Sequence, residues 1–114
     1  MNNNPHKYKY IADNLSEETI LRQLAEEAAE LAQAALKMCR VLDGTNPTPI
    51  TERQARNNML EEIADVQNAF NAYAYKKRLD FSQSVEEIVS EKRYRWEERL
   101  REKEQKERDG NAEG

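Results

Sequence analysis

The sequence predicts an all-α fold, and three observations carry that reading. Apolar residues recur at spacings of three and four, capping signals mark helix ends, and three glycines with three prolines are too few for a turn-rich sandwich or barrel. No strand-period run exceeds a few residues. At 114 residues the chain has the length of one domain. Apolar residues make up 38% and charged residues 35%, so the core is expected to be thin.

Residues 1–15 read as an irregular segment, with Tyr8, Tyr10 and Ile11 as anchors onto a core. Ser16 is a helix N-cap, and Leu15 and Ile20 flank it as a hydrophobic staple. The first helical stripe follows through Ile20, Leu24, Ala28, Leu31, Ala35, Met38 and Leu42. Asp43-Gly44 stops it, and Asn46-Pro47-Thr48-Pro49 forms a loop. Thr51-Glu52-Arg53-Gln54 is a capping box that opens a second helix, with the stripe Met59, Ile63, Val66, Phe70 and Tyr73. A break between Leu79 and Ser84 leads to a third helix carrying Phe81, Val85, Val89, Trp96 and Leu100. One helical domain over 16–104 is expected, with a charged, disordered tail over 105–114. The expected architecture is an antiparallel helical hairpin plus a third helix, forming a four-helix-bundle-like core on dimerisation.

Charge and targeting narrow the function classes. The net charge of −4 lacks the basic excess of a duplex-binding domain, so no nucleic-acid partner is expected. No run approaches the ~20 apolar residues of a membrane span, so no membrane partner is expected either. The first residues lack a secretory pattern, and a single cysteine, Cys39, suits a reducing, cytoplasmic setting. Cys39 itself reads as a small core residue beside Met38.

The most informative residues are acidic. Each helical residue turns by about 100°, which puts Glu27 and Glu30 at about −60° and −120° from Leu24, and Glu62 and Asp65 at about −40° and −100° from Val66. Both pairs therefore occupy the same shoulder of their stripes. In an antiparallel hairpin, the half-turn relating the two helices brings equivalent shoulders to one side. The heights also match, because the two pairs stand about equally far from the loop along the ~1.5 Å-per-residue rise. Four carboxylates at one level repel each other unless compensated, and a hard divalent cation such as Mg2+, with Mn2+ as the alternative, is the natural compensation. The competing reading is an ordinary solvated acidic face. Zinc and di-iron sites lack their histidines, since His6 is the only one.

On the third helix, Lys92, Arg99 and Arg95 lie at about −60°, −80° and −120° from the Val89–Trp96 stripe. They form one cationic shoulder suited to phosphate oxygens. Pairing with Glu91, Glu98 and Glu102 along the same helix is the simpler alternative.

In this order, Glu26-Glu27-Ala28-Ala29-Glu30, Glu62-Ile63-Ala64-Asp65 and Lys92-Arg93-Tyr94-Arg95, the chain resembles the MazG-like nucleoside triphosphate pyrophosphohydrolases over roughly residues 16–100. The resemblance implies an all-α core that dimerises, and sometimes pairs again into a tetramer. It implies Mg2+-dependent hydrolysis of the α–β phosphoanhydride of a nucleoside triphosphate substrate to a monophosphate and pyrophosphate. Carried over, Glu27, Glu30, Glu62 and Asp65 would be the metal ligands, and Lys92 and Arg95, joined by Arg99 on the same shoulder, the substrate-binding residues. Glu27 or Glu30 would position or deprotonate the attacking water, making both catalytic candidates. Glu26 and Glu61 are candidate outer hydrogen-bonding groups. One departure is the 31 residues between Glu30 and Glu62, more than most members carry.

Two other functions compete with the enzyme. In one, the chain is a non-catalytic helical dimerisation or interaction module whose carboxylates are merely solvated. In the other, it is a nucleic-acid accessory protein using the cations of the third helix. Metal dependence separates the first from the enzyme, and a salt-sensitive gel shift identifies the second.

Overall fold

A computed structural model describes residues 6–45, 49–78, 80 and 82–113, and the regular structure among them is entirely helical. Four helices follow in order: α1 (Lys9–Asn14), α2 (Glu17–Asp43), α3 (Glu52–Lys77) and α4 (Ser82–Glu113). No helix among the described residues is long and apolar enough to cross a membrane. The chain divides into two compact units, 1–79 and 80–114, where the sequence suggests one domain over 16–104. Asn46, Pro47 and Thr48 of the expected loop, and Leu79 and Phe81 of the expected break and third stripe, lie outside the described residues.

The capping chemistry sets the ends of the hairpin helices. The Ser16 hydroxyl accepts from the Thr19 backbone N–H at 3.1 Å, satisfying one of the free donors of the first turn of α2. At α3 the box is complete: Gln54 N–H donates to the Thr51 hydroxyl at 3.1 Å, and Thr51 N–H donates to Gln54 Oε1 at 2.9 Å. α2 ends at Gly44, whose φ of 77° is the left-handed conformation that favours glycine. α3 ends the same way without a glycine, at Arg78 with φ 54°.

α2 and α3 pack antiparallel. Glu17, at the start of α2, accepts from Lys77 Nζ at 3.1 Å and from Tyr73 Oη at 3.4 Å, both from the end of α3. Between them the contact is built on small side chains. The buried residues of α3 are Ala55, Ala69 and Ala72, and Ile20 is the one large side chain fully enclosed among the described residues. Alanines let helices approach closely, but each contributes little apolar area, so fully enclosed Ile20, worth about 1.5–3 kcal/mol when buried, is supplemented by the half-buried Leu24, Leu31, Met59, Val66 and Phe70. The stripes of large residues predicted from spacing are mostly half-buried, and Ala28, Leu42 and Ile63 among them are exposed.

Residues 9–14 correct the expectation of an irregular N-terminal segment. They form α1, a short helix that docks on α3 through buried Ala12, with the predicted anchors Tyr8 and Ile11 also meeting α3 and Tyr10 failing to do so. Tyr10 is 80% exposed. Polar contacts fasten the unit: Lys76 Nζ donates to Ala12 O at 2.7 Å, Tyr8 Oη donates to Asn68 Oδ1 at 2.9 Å, and Asn71 Nδ2 donates to Tyr8 Oη at 3.3 Å.

The second unit is α4. It continues through Glu113, replacing the disordered tail expected over 105–114. Dense pairing one turn apart accounts for its persistence: Arg101 with Glu98 at 2.8 Å, Arg108 with Glu104 at 3.8 Å, and Gln105 with Asp109 at 3.0 Å. Its apolar residues Val89, Trp96 and Leu100 are exposed, Trp96 by 63%, where the stripe reading puts them in a core. Cys39 is likewise exposed, because one further residue turns it about 100° away from half-buried Met38.

Candidate metal centre

α2 contributes Glu27 and Glu30, and α3 contributes Glu62 and Asp65. Each offers one carboxylate oxygen, and all four oxygens lie within 4.8 Å of one another. The helical phase and the antiparallel crossing together produce this gathering, as the shoulder argument anticipates. Glu27 and Glu62 are half-buried, while Glu30 and Asp65 are exposed.

Two of the buried atoms are chemically incomplete. Oε2 of Glu27 and Oε2 of Glu62 are shut off from water and have no hydrogen-bond partner. Buried polar atoms are normally satisfied, so a pair of orphaned carboxylate oxygens in one cluster is informative. The other oxygen of Glu27 accepts from Gln23 Nε2 at 2.5 Å, which orients the carboxylate from one turn earlier. The Glu27 carboxyl is pushed above its ordinary range, first by removal from water and then, against the Gln23 hydrogen bond, by the charges of Glu30 and Asp65.

The donor set fits a hard cation. All four candidate ligands are carboxylate oxygens, the chemistry of Mg2+ and Mn2+ rather than of zinc. Around an octahedral ion with bonds of about 2.1 Å, ligand oxygens stand about 3 Å apart when adjacent and about 4.2 Å when opposite. The observed spread needs only a small contraction to reach those values.

Two concave surfaces of the hairpin unit adjoin the cluster on different sides. A cavity of about 180 Å3 reaches Glu27 and Asp65; its walls are Ile11, Leu15, Ile20, Ala69 and Ala72, with the amides of Gln23 and Asn68. A larger groove of about 830 Å3 reaches Glu30 and Glu62, and Lys37, Arg40, Asn58 and Glu61 also line it. The sequence reading missed Lys37, Arg40 and Asn68. Lys37 was findable, since seven residues after Glu30 place it within about 20° of the same helical face.

Lys92, Arg95 and Arg99 share one concave face of α4 with Val89 and Trp96, in the second unit. Arg95 is ion-paired with Glu91 on its own helix, as the simpler alternative foresaw. Lys92 and Arg99 form no ion pair among the described residues.

Compared with family models, curated proteins and solved structures, the chain matches none. The MazG-like resemblance therefore rests on the motif residues themselves.

Proposed function

We propose that the chain is a divalent-metal-dependent nucleotide pyrophosphohydrolase, which converts a nucleoside triphosphate to its monophosphate and pyrophosphate. The observation that carries this reading is the convergence of Glu27, Glu30, Glu62 and Asp65 within 4.8 Å, with two orphaned oxygens among them. Held by these four residues, Mg2+ would neutralise the phosphoanhydride oxygens and so lower the barrier to attack by water.

The remaining chemistry falls to the chain's own side chains. Water adds to the α-phosphorus as the bond from that phosphorus to the α–β bridging oxygen breaks, and the electron pair leaves with pyrophosphate. One of the two carboxylates Glu27 and Glu30 orients the water and accepts its proton, and Gln23 steadies Glu27 from the preceding turn. The cavity beside Glu27 and Asp65 has apolar walls for a base and the amides of Gln23 and Asn68 for its polar edge. Lys92, Arg95 and Arg99 remain the substrate contacts that the resemblance implies. Exposed Leu36, Leu42 and Leu60 on the hairpin support assembly into a homodimer, which size-exclusion chromatography with light scattering tests. The cytoplasm is the proposed setting.

The test is pyrophosphate release from a panel of ribo- and deoxyribonucleoside triphosphates, with Mg2+ and with EDTA. Turnover that requires metal and falls about 10²–10⁴-fold in Glu30→Gln supports the enzyme. A folded oligomer that turns over no triphosphate favours the second reading, a non-catalytic interaction module, which the exposed Leu36, Leu42 and Leu60 also suit.

A further inference from the structure

The carboxylate cluster has two unlike neighbours, and their difference gives the site a direction. Glu27 and Asp65 border the small cavity with apolar walls. Glu30 and Glu62 border the open groove that contains Lys37 and Arg40. At about 830 Å3 the groove falls within the ~300–1,000 Å3 typical of small-molecule sites.

Lys37 is placed to serve a ligand. It stands two turns beyond Glu30, about 10 Å along α2 and nearly in line with it. Helical side chains lean toward the N-terminus, so the stem of Lys37 leads back toward the carboxylates. Lys37 is half-buried, and its ammonium makes no hydrogen bond or ion pair among the described residues. Arg40 lies one turn further on. Its neighbour Asp43 is already occupied: the hydroxyl and backbone N–H of Thr45 bind one Asp43 oxygen at 2.6 and 2.9 Å. Two cations thus line a groove that begins at two metal-ligand candidates, with the amide of Asn58 across from them on α3.

We infer that Lys37 and Arg40 bind the pyrophosphate half of the substrate, fixing the triphosphate so that its β- and γ-phosphates run from Glu30 and Glu62 toward the C-terminal end of α2. The inference rests on the pyrophosphohydrolase reading and deepens it by assigning the leaving group a place on the hairpin itself. As the bond to the bridging oxygen breaks, negative charge builds on the departing pyrophosphate, and these two cations stabilise it there. Both are positioned to touch substrate. Glu61, at the groove's edge, faces the same space and limits how much further negative charge it accepts.

The experiment uses the full chain and three readouts: Mn2+ binding by calorimetry, binding of inorganic pyrophosphate to the Mn2+-loaded protein, and triphosphate turnover with Mg2+. Lys37→Gln and Arg40→Gln keep helix-forming side chains, and circular dichroism checks their fold. In both variants pyrophosphate affinity is expected to fall about 10- to 100-fold, the range for losing a charge-assisted hydrogen bond, while Mn2+ affinity stays within about twofold. KM for the triphosphate rises in step, and Lys37→Arg restores most of the loss. Unchanged pyrophosphate binding in folded Lys37→Gln and Arg40→Gln overturns the inference while leaving a turning-over wild type intact. A wild type that binds Mn2+ and turns over triphosphate but holds no pyrophosphate in this groove also overturns it. A wild type with neither metal binding nor turnover overturns the pyrophosphohydrolase reading and this inference together.

Discussion

Glu27 on α2 and Glu62 on α3 each bury one carboxylate oxygen without a hydrogen-bond partner, inside a cluster whose ligand oxygens stand within 4.8 Å of each other. Burying like charges together is unfavourable, and a fold that does so is stabilised when a cation joins them. The thermal consequence is direct. At a Mn2+ concentration about 100 times its Kd, binding adds about 2.7 kcal/mol. For a unit of this size that raises Tm by about 10–20 °C. Glu62→Gln is expected to raise the Tm measured in EDTA slightly and to lose most of the metal-induced rise. A variant that keeps the full metal-induced rise contradicts the assignment of Glu62.

The pH dependence follows from Glu27. Its carboxyl titrates above the ordinary glutamate range without a cation, so the folded chain keeps a proton that the unfolded chain has already lost. The stability linked to this group is complete below the unfolded value of about 4.3 and is lost as pH rises through the raised folded value. In EDTA, melts are expected to weaken across that window. With Mg2+ bound the folded value falls and the trend reverses. Carbon-detected NMR titration of the Glu27 carboxyl, with EDTA and with Mg2+, reads both midpoints; an ordinary or lowered midpoint in EDTA contradicts the burial argument.

The thin core makes one residue unusually important. Ile20 is the one large side chain fully enclosed among the described residues, and Ile20→Ala is expected to destabilise the hairpin by about 2–5 kcal/mol. Urea denaturation followed by circular dichroism measures it. A loss under about 1 kcal/mol would mean that the neighbouring helices close over the gap.

Two glycines are expected to respond in opposite directions. Nothing lies within 4 Å of a Cβ built at either Gly44 or Gly110, so backbone conformation alone decides. Gly44 has φ 77°, and Gly44→Ala is expected to cost about 1–2 kcal/mol. Gly110 lies within α4, and Gly110→Ala is expected to favour that helix by about 1 kcal/mol, read as increased helicity.

What was legible in the sequence was local or followed from helical phase. Ser16, Gly44 and the Thr51–Gln54 box act over three or four residues, so the helix ends could be read without knowing the fold. The meeting of Glu27 and Glu30 with Glu62 and Asp65 needed only the phase of two helices and the antiparallel crossing. Tertiary choices were harder to read. Tyr8 was legible as an anchor, but its partner Asn68 sixty residues away was not, and neither was the short helix that buries Ala12, because six residues carry too little periodic signal. The alanines buried in α3 were hidden because a search for large apolar residues follows the half-buried shoulders of a close helix crossing instead of its centre. Arg78 takes a conformation for which glycine is the usual marker. Lys37 carries no motif of its own, although its spacing from Glu30 places it on nearly the same face.

The most direct measurement is calorimetric titration of the wild-type chain with Mn2+, beside Glu30→Gln and Glu62→Gln. A clustered carboxylate site predicts saturable binding in the wild type and a loss of about tenfold or more in affinity for each variant. Titration without saturable heat in a folded wild type, or unchanged affinity in both variants, would contradict a metal centre at Glu27, Glu30, Glu62 and Asp65.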